Sequence, residues 1–282
     1  MQDQRFSPND CLDKIVVSYK KKSGHYNMRY NHFHDSYEIY YLVSGERYYF
    51  VNDRTFHITK GSIAFINPFE LHKTTDITDS CNVPDHERIL IQFDKKYFKD
   101  NSAMNDVLVS VLNTSQVIKL SISEQLFVEE LLNSLLEEDA DGKLGYEANM
   151  QAQVIRLVVY LARIIEGNLN KEFEHLSEMH KKVSEIVQYV NTSYSKPITL
   201  SVVADKFFIS QYHLARIFKK ATGFTFIEYL NSIRVKHAQK LLQETKWKVS
   251  RISNECGFGS ISQFGRCFKK IYGVSPRQYK DR

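Results

Sequence analysis

The sequence contains few cysteines and no long hydrophobic run. Its four cysteines, Cys11, Cys81, Cys256 and Cys267, are scattered among 282 residues without a Cys-x-x-Cys pair. Neither a zinc knuckle nor a disulfide framework is therefore indicated. No segment approaches the length of a membrane span, and residues 1–10 are polar with no apolar run behind them, unlike a signal peptide. We expect a protein of the reducing cytoplasm.

The usual catalytic signatures are missing as well. No nucleophile stands beside a base, and neither a phosphate-binding glycine loop nor a paired-carboxylate site stands out, so we do not expect an enzyme. The composition, 43% hydrophobic and 25% charged residues, is that of a soluble globular protein. The length suffices for two ordinary domains, each with its own core.

Positive charge is concentrated towards the C-terminus. From Lys181 onward there are 19 Lys and Arg against six Asp and Glu, a net charge of +13, whereas the preceding residues have 19 against 27, a net charge of −8. A basic C-terminal third beside an acidic N-terminal part is the electrostatic footprint of nucleic-acid binding confined to one domain.

One pattern occurs twice in the basic part of the chain, at an offset of 50 positions. The repeat pairs Phe208 with Phe258, Ser210 with Ser260, Arg216 with Arg266, Phe218 with Phe268, Gly223 with Gly273, Tyr229 with Tyr279 and, by similarity, Val202 with Ile252. Each copy predicts a short apolar helix, a tight turn, and a second helix opened by a serine that caps free backbone N–H groups. The pattern therefore predicts two helix-turn-helix units.

The second helix of each copy has an apolar face and a polar face. The apolar residues Leu214, Ile217 and Phe218, and in the other copy Phe264, Cys267 and Phe268, lie at helical spacing and should face the core. The opposite faces carry Tyr212, Ala215 and Arg216 in copy one and Ser262, Gln263 and Arg266 in copy two. Arginine donates to guanine and glutamine recognises adenine in the major groove, so these faces are candidates for base contacts. A merely solvated face is the alternative.

Lysine pairs end both of these helices and suit DNA phosphates, which position a protein without specifying sequence. Lysines in a last helical turn also complement the helix dipole in solvent, and that reading stays open. The candidate phosphate contacts, including the two serines that open the helices, are Ser210, Lys219, Lys220, Ser260, Lys269 and Lys270.

The stretch from Ser195 to Arg282 resembles the DNA-binding domain of AraC-type transcriptional regulators. The residues that carry the resemblance are Gly257-Phe258, Arg266, Phe268-Lys269-Lys270, Gly273, Ser275-Pro276 and Tyr279. In that family a linker helix, here Phe226 to Gln243, joins two helix-turn-helix units that enter successive major grooves, one helical turn apart. The resemblance implies base contacts by Tyr212, Ala215, Arg216, Ser262, Gln263 and Arg266.

Three positions depart from the family's pattern. Gly265 lies inside the second recognition helix, where an interior glycine costs roughly 1 kcal/mol relative to alanine. Ser253 occupies a position that the family usually fills with alanine. Ala215 donates no hydrogen bond and offers only apolar contact, for example to a thymine methyl group.

Short β-strands are predicted between Ile15 and Phe93. The predicted strands are 15–19, 37–43, 47–51, 55–59, 62–66 and 89–93, with turn residues between them. This spacing predicts a small sandwich or barrel.

Histidine and glutamate residues are grouped within this region. His32, His34 and Glu38, followed by His72, resemble the two cupin motifs and the N-terminal sensor domain of many AraC-type regulators, which implies a jelly-roll barrel. Three histidines and a glutamate suit iron, manganese or nickel, but they also suit an effector pocket or a purely structural role. We assign them to an effector pocket, with no metal or other cofactor. A metal-dependent cupin enzyme fused to a DNA-binding domain is the alternative function.

Aromatic residues in the same strands offer a surface for a sugar effector. Tyr37, Tyr41, Tyr48 and Phe65 could stack on a sugar ring. Alternating aromatic residues in strands also simply pack within a sheet, and both interpretations stay open.

Two amphipathic helices follow, at 123–136 and 146–165. The first places Leu126, Leu131 and Leu135 near one stripe behind Ser123. In AraC-type regulators the corresponding helices commonly form the dimer interface, so we expect a homodimer through Val154, Leu157 and Leu161. Packing within one chain is the alternative.

The sequence thus predicts an α+β protein with two domains. Residues 1–166 form a cupin-like sensor and dimerisation domain, 167–181 a polar linker, and 182–282 an all-α domain with two helix-turn-helix units. The predicted function is sequence-specific transcriptional regulation, with activation the first expectation. The expected partners are double-stranded DNA, a small-molecule effector, RNA polymerase and a second copy of the chain, but no membrane.

Overall fold

The computed structural model describes residues 15–24, 34, 36–52, 54–68, 70–77, 84–94, 104, 106–108, 115–167 and 178–281. Eight strands come first: β1 Val16–Lys22, β2 Tyr37–Ser44, β3 Glu46–Val51, β4 Arg54–Thr59, β5 Ser62–Ile66, β6 His72–Thr75, β7 His86–Phe93 and β8 Gln116–Lys119. The helices are α1 Ile122–Asp141, α2 Tyr146–Gly167, α3 Glu178–Ser193, α4 Leu200–Lys206, α5 Gln211–Thr222, α6 Phe226–Glu244, α7 Val249–Glu255, α8 Ile261–Tyr272 and α9 Pro276–Lys280. Within this part of the chain, no helix is both long and apolar enough to cross a membrane. The predicted α+β class, with sheets followed by a helical domain, is confirmed.

The strands form two antiparallel sheets. One has the order β1-β7-β2-β5-β8 and the other β4-β3-β6. Between the sheets lies a small core to which both contribute, and its buried members are Tyr40, Leu42, Tyr49, Val51, Ile58, Ala64, Ile66 and Val117. All six predicted strands are present, whereas β6 and β8 were not predicted. The arrangement is the small sandwich that the strand spacing indicated.

Helices α1 and α2 cover the other face of the five-stranded sheet. Helix α1 begins after Ser121, whose side chain forms a capping box with Glu124, so the predicted start behind Ser123 is wrong. Leu131 and Leu135 are buried as predicted, but Leu126 is 66% exposed. The buried apolar face of α1 is therefore narrower than the sequence indicated.

The predicted dimer residues are corrected by this packing. Val154, Leu157 and Leu161 on α2 are each 0% exposed, because they pack with α1 and the sheet in the core of the same chain. They are not available to a second copy. The alternative, packing within one chain, describes these residues correctly.

The C-terminal helices share one hydrophobic core that contains both helix-turn-helix units, α4–α5 and α7–α8. Each of the helices α4, α5, α6, α8 and α9 begins with a Ser or Thr whose side chain accepts a backbone N–H bond; these are Thr199, Ser210, Thr225, Ser260 and Ser275. Helix α6 matches the predicted linker helix. Helix α3 begins at Glu178, inside the segment predicted as the linker between the domains.

The two units do not superimpose at one offset. Helices α4 and α7 begin at Leu200 and Val249, 49 positions apart, whereas α5 and α8 begin at Gln211 and Ile261, 50 apart. The second turn therefore contains one additional residue. The pairings of Phe208 with Phe258 and of Val202 with Ile252 are wrong for this reason.

One corrected pair matches in backbone geometry and another in burial. Phe208 corresponds to Gly257, and both have a positive φ, +55° and +78°. Phe208 is 94% exposed, whereas Phe258 is buried at 4%. Ser253 corresponds to Ala204, and both are buried. A left-handed backbone is favourable for glycine but strained for a bulky residue, so the first turn carries local strain that the second does not.

Candidate functional site

The first recognition helix, α5, is capped at both ends. Ser210 Oγ accepts the backbone N–H of His213 at 3.2 Å, and Gly223, at φ +75°, closes the C-terminus. Leu214 and Phe218 are fully buried beneath the helix. On the outer face Tyr212, Ala215, Arg216, Lys219 and Lys220 are all exposed, as predicted.

The second recognition helix, α8, repeats this construction. Ser260 Oγ accepts the backbone N–H of Gln263 at 3.1 Å, Gly273 closes the helix at φ +70°, and Phe264 and Phe268 are fully buried. Ser262, Arg266, Lys269 and Lys270 are exposed, and Gln263 is partly buried. The residues predicted to contact DNA thus lie on one outward face of each unit. Their individual base and phosphate contacts stay predictions.

The two serines have a defined structural role. In both helices the hydroxyl oxygen accepts a backbone N–H that has no partner within the helix. A hydroxyl that accepts such a bond still has its own proton to donate. Ser210 and Ser260 therefore hold the helix ends in place and remain able to donate to a phosphate.

Gly265 lies on α8 with room around it. A Cβ atom added there would meet no heavy atom of the described structure within 4 Å. No packing contact in this structure therefore requires a glycine at this position.

The N-terminal domain contacts the C-terminal end of α5. Lys73 Nζ on β6 donates to the carbonyl oxygen of Gly223, and Thr55 Oγ1 on β4 donates to the carbonyl oxygen of Ala221 at 2.7 Å. Phe50 on β3 packs edge-to-face on Phe224, with ring centroids 6.0 Å apart. These contacts leave the outer face of α5 exposed.

Helices α6 and α3 extend this contact. The hydroxyl of Tyr229 on α6 donates to the backbone carbonyl of Asn52 at 3.0 Å. The rings of Tyr48 on β3 and His180 on α3 lie 5.0 Å apart. Phe50 and Leu71 of the N-terminal domain belong to the hydrophobic core of the C-terminal helices. The outer face of the three-stranded sheet is therefore an interdomain interface.

Three of the four predicted pocket residues come together between the two sheets. His34 Nε2 lies 3.1 Å from Glu38 Oε2, and His72 Nε2 lies 3.6 Å from Glu38 Oε1. The two imidazole rings meet edge-to-face at 5.1 Å. Glu38 and His72 are only 2% and 1% exposed. His32 lies outside the described residues.

The hydrogen bonds behind these side chains fix their orientation. His34 Nδ1 donates to the carbonyl oxygen of Ser36 and His72 Nδ1 to that of Glu70, each at 2.8 Å. A carbonyl oxygen only accepts, so Nδ1 carries a proton in both rings, and a ring that is also protonated at Nε2 donates this second N–H towards the carboxylate.

The carboxylate of Glu38 has two further donors. The hydroxyl of Tyr49 donates to Oε1 at 3.3 Å, and the amide of Gln92 donates to Oε2 at 3.1 Å. Burial disfavours the charged form, but His72 and His34 outweigh it and hold the pKa of Glu38 well below its usual value. The cluster therefore has a buried, anionic carboxylate between two imidazoles.

Sequence reasoning missed Tyr49 and Gln92. Gln92 is the cross-strand partner of Glu38, so the pairing of β2 with β7 would have indicated it. Arg47 and Arg88 were also recognisable from the sequence as candidates for a polar site. Charged residues within strands are rare unless they are paired or face solvent.

Those arginines belong to a second polar group inside the sandwich. Arg47 pairs with Asp76, Arg88 lies over the ring of Tyr40 at 5.5 Å, and His86 is 1% exposed. Burial, with Arg47 and Arg88 nearby, lowers the pKa of His86 to about 4. At neutral pH this imidazole is uncharged.

The predicted aromatic lining is corrected by the direction of the side chains. Tyr37, Tyr41 and Phe65 face α1 and α2 and are part of that core. Tyr48 faces the C-terminal domain, beside His180. None of these four residues lines the His34, Glu38 and His72 cluster, so their alternative role, packing, is the correct one.

Two family models match the chain. An AraC-like ligand binding domain matches residues 17–82, and a helix-turn-helix domain matches residues 203–282. The first includes Glu38 and His72, and the second includes both recognition helices.

Curated relatives and solved structures are similar to the chain. The HTH-type transcriptional activator RhaS of Escherichia fergusonii is 24% identical over 88% of this chain and 86% of its own length. The uncharacterized HTH-type transcriptional regulator YfiF of Bacillus subtilis is 26% identical over 92% and 80%. Among structures, ToxT from Vibrio cholerae aligns over 95% of this chain and 97% of its own with 15% identity and a TM-score of 0.40. The C-terminal domain of the response regulator yesN from Fusobacterium nucleatum aligns over 34% and 94% with 35% identity and a TM-score of 0.33.

The two domain matches and the relatives agree with the order of the domains in the structure, which places a sheet-rich domain before a double helix-turn-helix domain. The chain thus consists of an AraC-like ligand binding domain followed by a helix-turn-helix domain, and its relatives are AraC-family transcriptional regulators such as RhaS.

Proposed function

We propose that the protein is a cytoplasmic, sequence-specific regulator that activates transcription when an effector binds its N-terminal domain. The observation that carries this proposal is the pair of recognition helices, which have matching caps and exposed polar faces within one basic domain. One such face suits a single major groove. Two on a shared core suit two groove segments of the same operator.

The base contacts follow from the exposed faces. Arg216 and Arg266 present guanidinium groups suited to guanine, and Gln263 presents an amide suited to adenine. Tyr212, Ala215 and Ser262 complete the proposed base-reading set, whereas Ser210, Lys219, Lys220, Ser260, Lys269 and Lys270 are the proposed phosphate contacts. Activation is supported by the name of RhaS, an activator similar to this chain over most of its length.

Effector control is supported by the three-stranded sheet. Neighbouring residues of a strand point to opposite faces, so Tyr49 and His72 face the polar cluster while Phe50 and Lys73 face the C-terminal domain. A ligand beside Tyr49 and His72 thus acts on the same strands that hold the end of α5. Such a ligand regulates only if it binds differently to the DNA-competent and the incompetent arrangement.

Two further partners belong to the proposal. Activation requires contact with RNA polymerase, and symmetric regulators commonly act as homodimers. A homodimer interface would have to use surfaces other than Val154, Leu157 and Leu161, since these are buried within one chain. Light scattering of the full chain with its operator tests the dimer.

Selection of bound sequences from a random duplex pool at physiological salt tests the proposed function. We expect enrichment of two boxes about one helical turn, roughly 34 Å, apart. Salt-sensitive binding of every sequence without enrichment would show that only phosphates are contacted. A variant that combines Arg216→Ala with Arg266→Ala is the control and should enrich no motif.

A further inference from the structure

We propose that Phe208, in the turn of the first helix-turn-helix unit, binds a thymine methyl group at the edge of the DNA major groove. The proposal rests on the proposed sequence-specific binding of DNA. It adds a base contact for which the second unit has no side chain, because Gly257 occupies the corresponding position. The two boxes of an operator should therefore differ in their thymine content.

The turns of the two units have the same backbone. In the first turn the backbone N–H of Phe208 donates to the carbonyl oxygen of Asp205 at 3.3 Å, and in the second that of Gly257 donates to Asn254 at 2.9 Å. Both residues have a positive φ. Glycine is usual at this position after a helix, because a side chain there strains the backbone. The turn itself therefore has no need of the Phe208 ring.

The ring of Phe208 is also not used for packing. It is 94% exposed, whereas its neighbours Phe207 and Ile209 are partly buried and pack against the core of the C-terminal helices. Strained backbone conformations are concentrated at functional sites. Backbone strain and an unburied ring coincide at one residue, and a glycine would avoid both. We infer that the ring is covered when a partner binds.

The position of the turn indicates that this partner is DNA. When a helix-turn-helix unit binds DNA, its first helix crosses the backbone and the N-terminal residues of its recognition helix contact base edges. Phe208 lies between these two helices, two residues before Ser210, the cap of α5. Tyr212, four residues further on, is 81% exposed on the outer face of α5. Phe208 thus continues the surface that faces DNA in the proposed complex.

The chemistry of this surface indicates which base it recognises. Thymine presents a methyl group in the major groove, and phenylalanine or alanine contacts that group through apolar surface. Phe208, Tyr212 and Ala215 give the first unit an exposed surface that is largely apolar. The corresponding residues of the second unit are Gly257, Ser262 and Gly265.

The second unit has less exposed apolar surface. Ile261, at the start of α8, is 51% exposed. All residues of this unit are described, and each of its aromatic rings in α8 and the preceding turn is buried; these are Phe258, Phe264, Phe268 and Tyr272. Contact between an aromatic ring and a thymine methyl group is therefore a property of the first unit.

The contact is tested on the full chain with the operator duplex obtained by selection. Each thymine of the operator is replaced in turn by deoxyuridine, which lacks only the methyl group. At one or two positions we expect the affinity of the unaltered protein to fall about three- to fivefold, the effect of one buried methyl group. Phe208→Gly should bind the unmodified operator about tenfold more weakly, which is the usual loss for one base contact.

The combination of the two changes identifies the contact. Groups that touch have non-additive effects when both are altered. At the sensitive positions, Phe208→Gly should therefore bind the thymine and the deoxyuridine duplexes equally well. Phe208→Leu, which keeps an apolar side chain, should retain part of the dependence on the methyl group. Additive losses at every position would overturn the contact. Unchanged affinity of Phe208→Gly for the operator would overturn it too and would indicate a protein partner for the ring.

The matched control is Leu144→Gly. Leu144 is a fully exposed apolar residue in a turn of the sensor domain, so this variant should bind every duplex like the unaltered protein. Phe208→Gly should not melt at a lower temperature, because it places glycine where the backbone favours it; its loss of affinity is then not a loss of folding. If selection enriches no operator, the proposed function fails and the contact with it. An enriched operator that Phe208→Gly binds normally refutes the contact alone.

Discussion

Lys73 of the sensor domain donates a hydrogen bond to the carbonyl oxygen of Gly223, the residue that closes the first recognition helix. The last carbonyl groups of a helix have no partner within it. Here Lys73 and Thr55 supply two of the missing donors from another domain. The end of the helix is consequently bonded to the sensor domain in addition to its own cap at Gly223.

Lys73→Met should loosen the C-terminal end of α5. The substitution keeps most of the apolar stem and removes a charged donor, which is worth about 1.5–3 kcal/mol. Hydrogen exchange at residues 219–223 should accelerate about tenfold or more. Lys119→Met is the control, because Lys119 bonds within the sensor domain to Thr59 and Lys60. Equal exchange in the two variants would show that Lys73 does not hold the helix.

Gly265→Ala should stabilise the DNA-binding domain. An alanine there meets open space and removes the entropic cost of a glycine inside a helix, so unfolding in urea should require about 0.5–1 kcal/mol more. Gly223→Ala is the opposite case, since its φ is +75° and its Cβ would lie 2.6 Å from Lys73 Cδ. It should lose stability, and a gain there would contradict the described interface.

Phe208→Asn should stabilise the first helix-turn-helix unit. Phe208 is in a left-handed conformation and is 94% exposed, so the substitution relieves backbone strain of about 1 kcal/mol without loss of packing. Phe258→Asn in the second unit should instead cost about 3–5 kcal/mol, because that ring is buried. Thermal unfolding of both variants distinguishes the corrected pairing of the units from the pairing at 50 positions.

Acid should destabilise the sensor domain through His86. Its pKa is about 4 in the folded protein and 6.5 in its ordinary state, so the unfolded chain binds the additional proton between these values. The free energy of unfolding should fall as the pH drops from 6.5 to 4, by roughly 3 kcal/mol from this residue. His86→Asn should show a flatter pH dependence in urea titrations. A pH dependence identical to that of the unaltered protein would exclude this source.

Arg216→Ala should weaken binding to the selected operator by about 1–3 kcal/mol and relax the base preference at one position. Lys219→Ala, one turn further along the same exposed face, should weaken binding to all sequences alike and reduce the salt dependence by about one ion. Competition titrations with operator and random duplexes separate the two effects. A uniform loss with Arg216→Ala would make it a phosphate contact.

The helices of the DNA-binding domain were predictable because their information is local. A serine cap, helical spacing of Leu214 and Phe218, and a closing glycine at 223 together specify α5. The offset between the two units was not predictable in this way. The identity of Phe208 and Phe258 favours a pairing at 50 positions, and the sequence does not show that the turn of the second unit is one residue longer than that of the first.

The sensor domain was less predictable because both faces of its larger sheet are buried. Alternation separates Tyr37 and Tyr41 from Glu38 and Tyr40, but it does not show which set faces the helices and which the second sheet. Only the packing of the sheet decides which set faces the second sheet, and it places Glu38 and Tyr40 between the two sheets. Strands β6 and β8, of four residues each, are too short to show a period.

Arg234 on α6 donates to the carbonyl oxygens of Tyr194 and Lys196 and lies 5.9 Å from the ring centre of Phe258 in the second turn. It thereby joins the loop that precedes the first helix-turn-helix unit and the turn of the second unit to one helix, and both units share one core. The distance between the two recognition helices of such a domain is fixed. One base pair inserted between the two boxes of an operator would rotate the second box away from α8 by about a tenth of a helical turn. The spacing between the boxes should therefore vary as little from promoter to promoter as the sequences of the boxes.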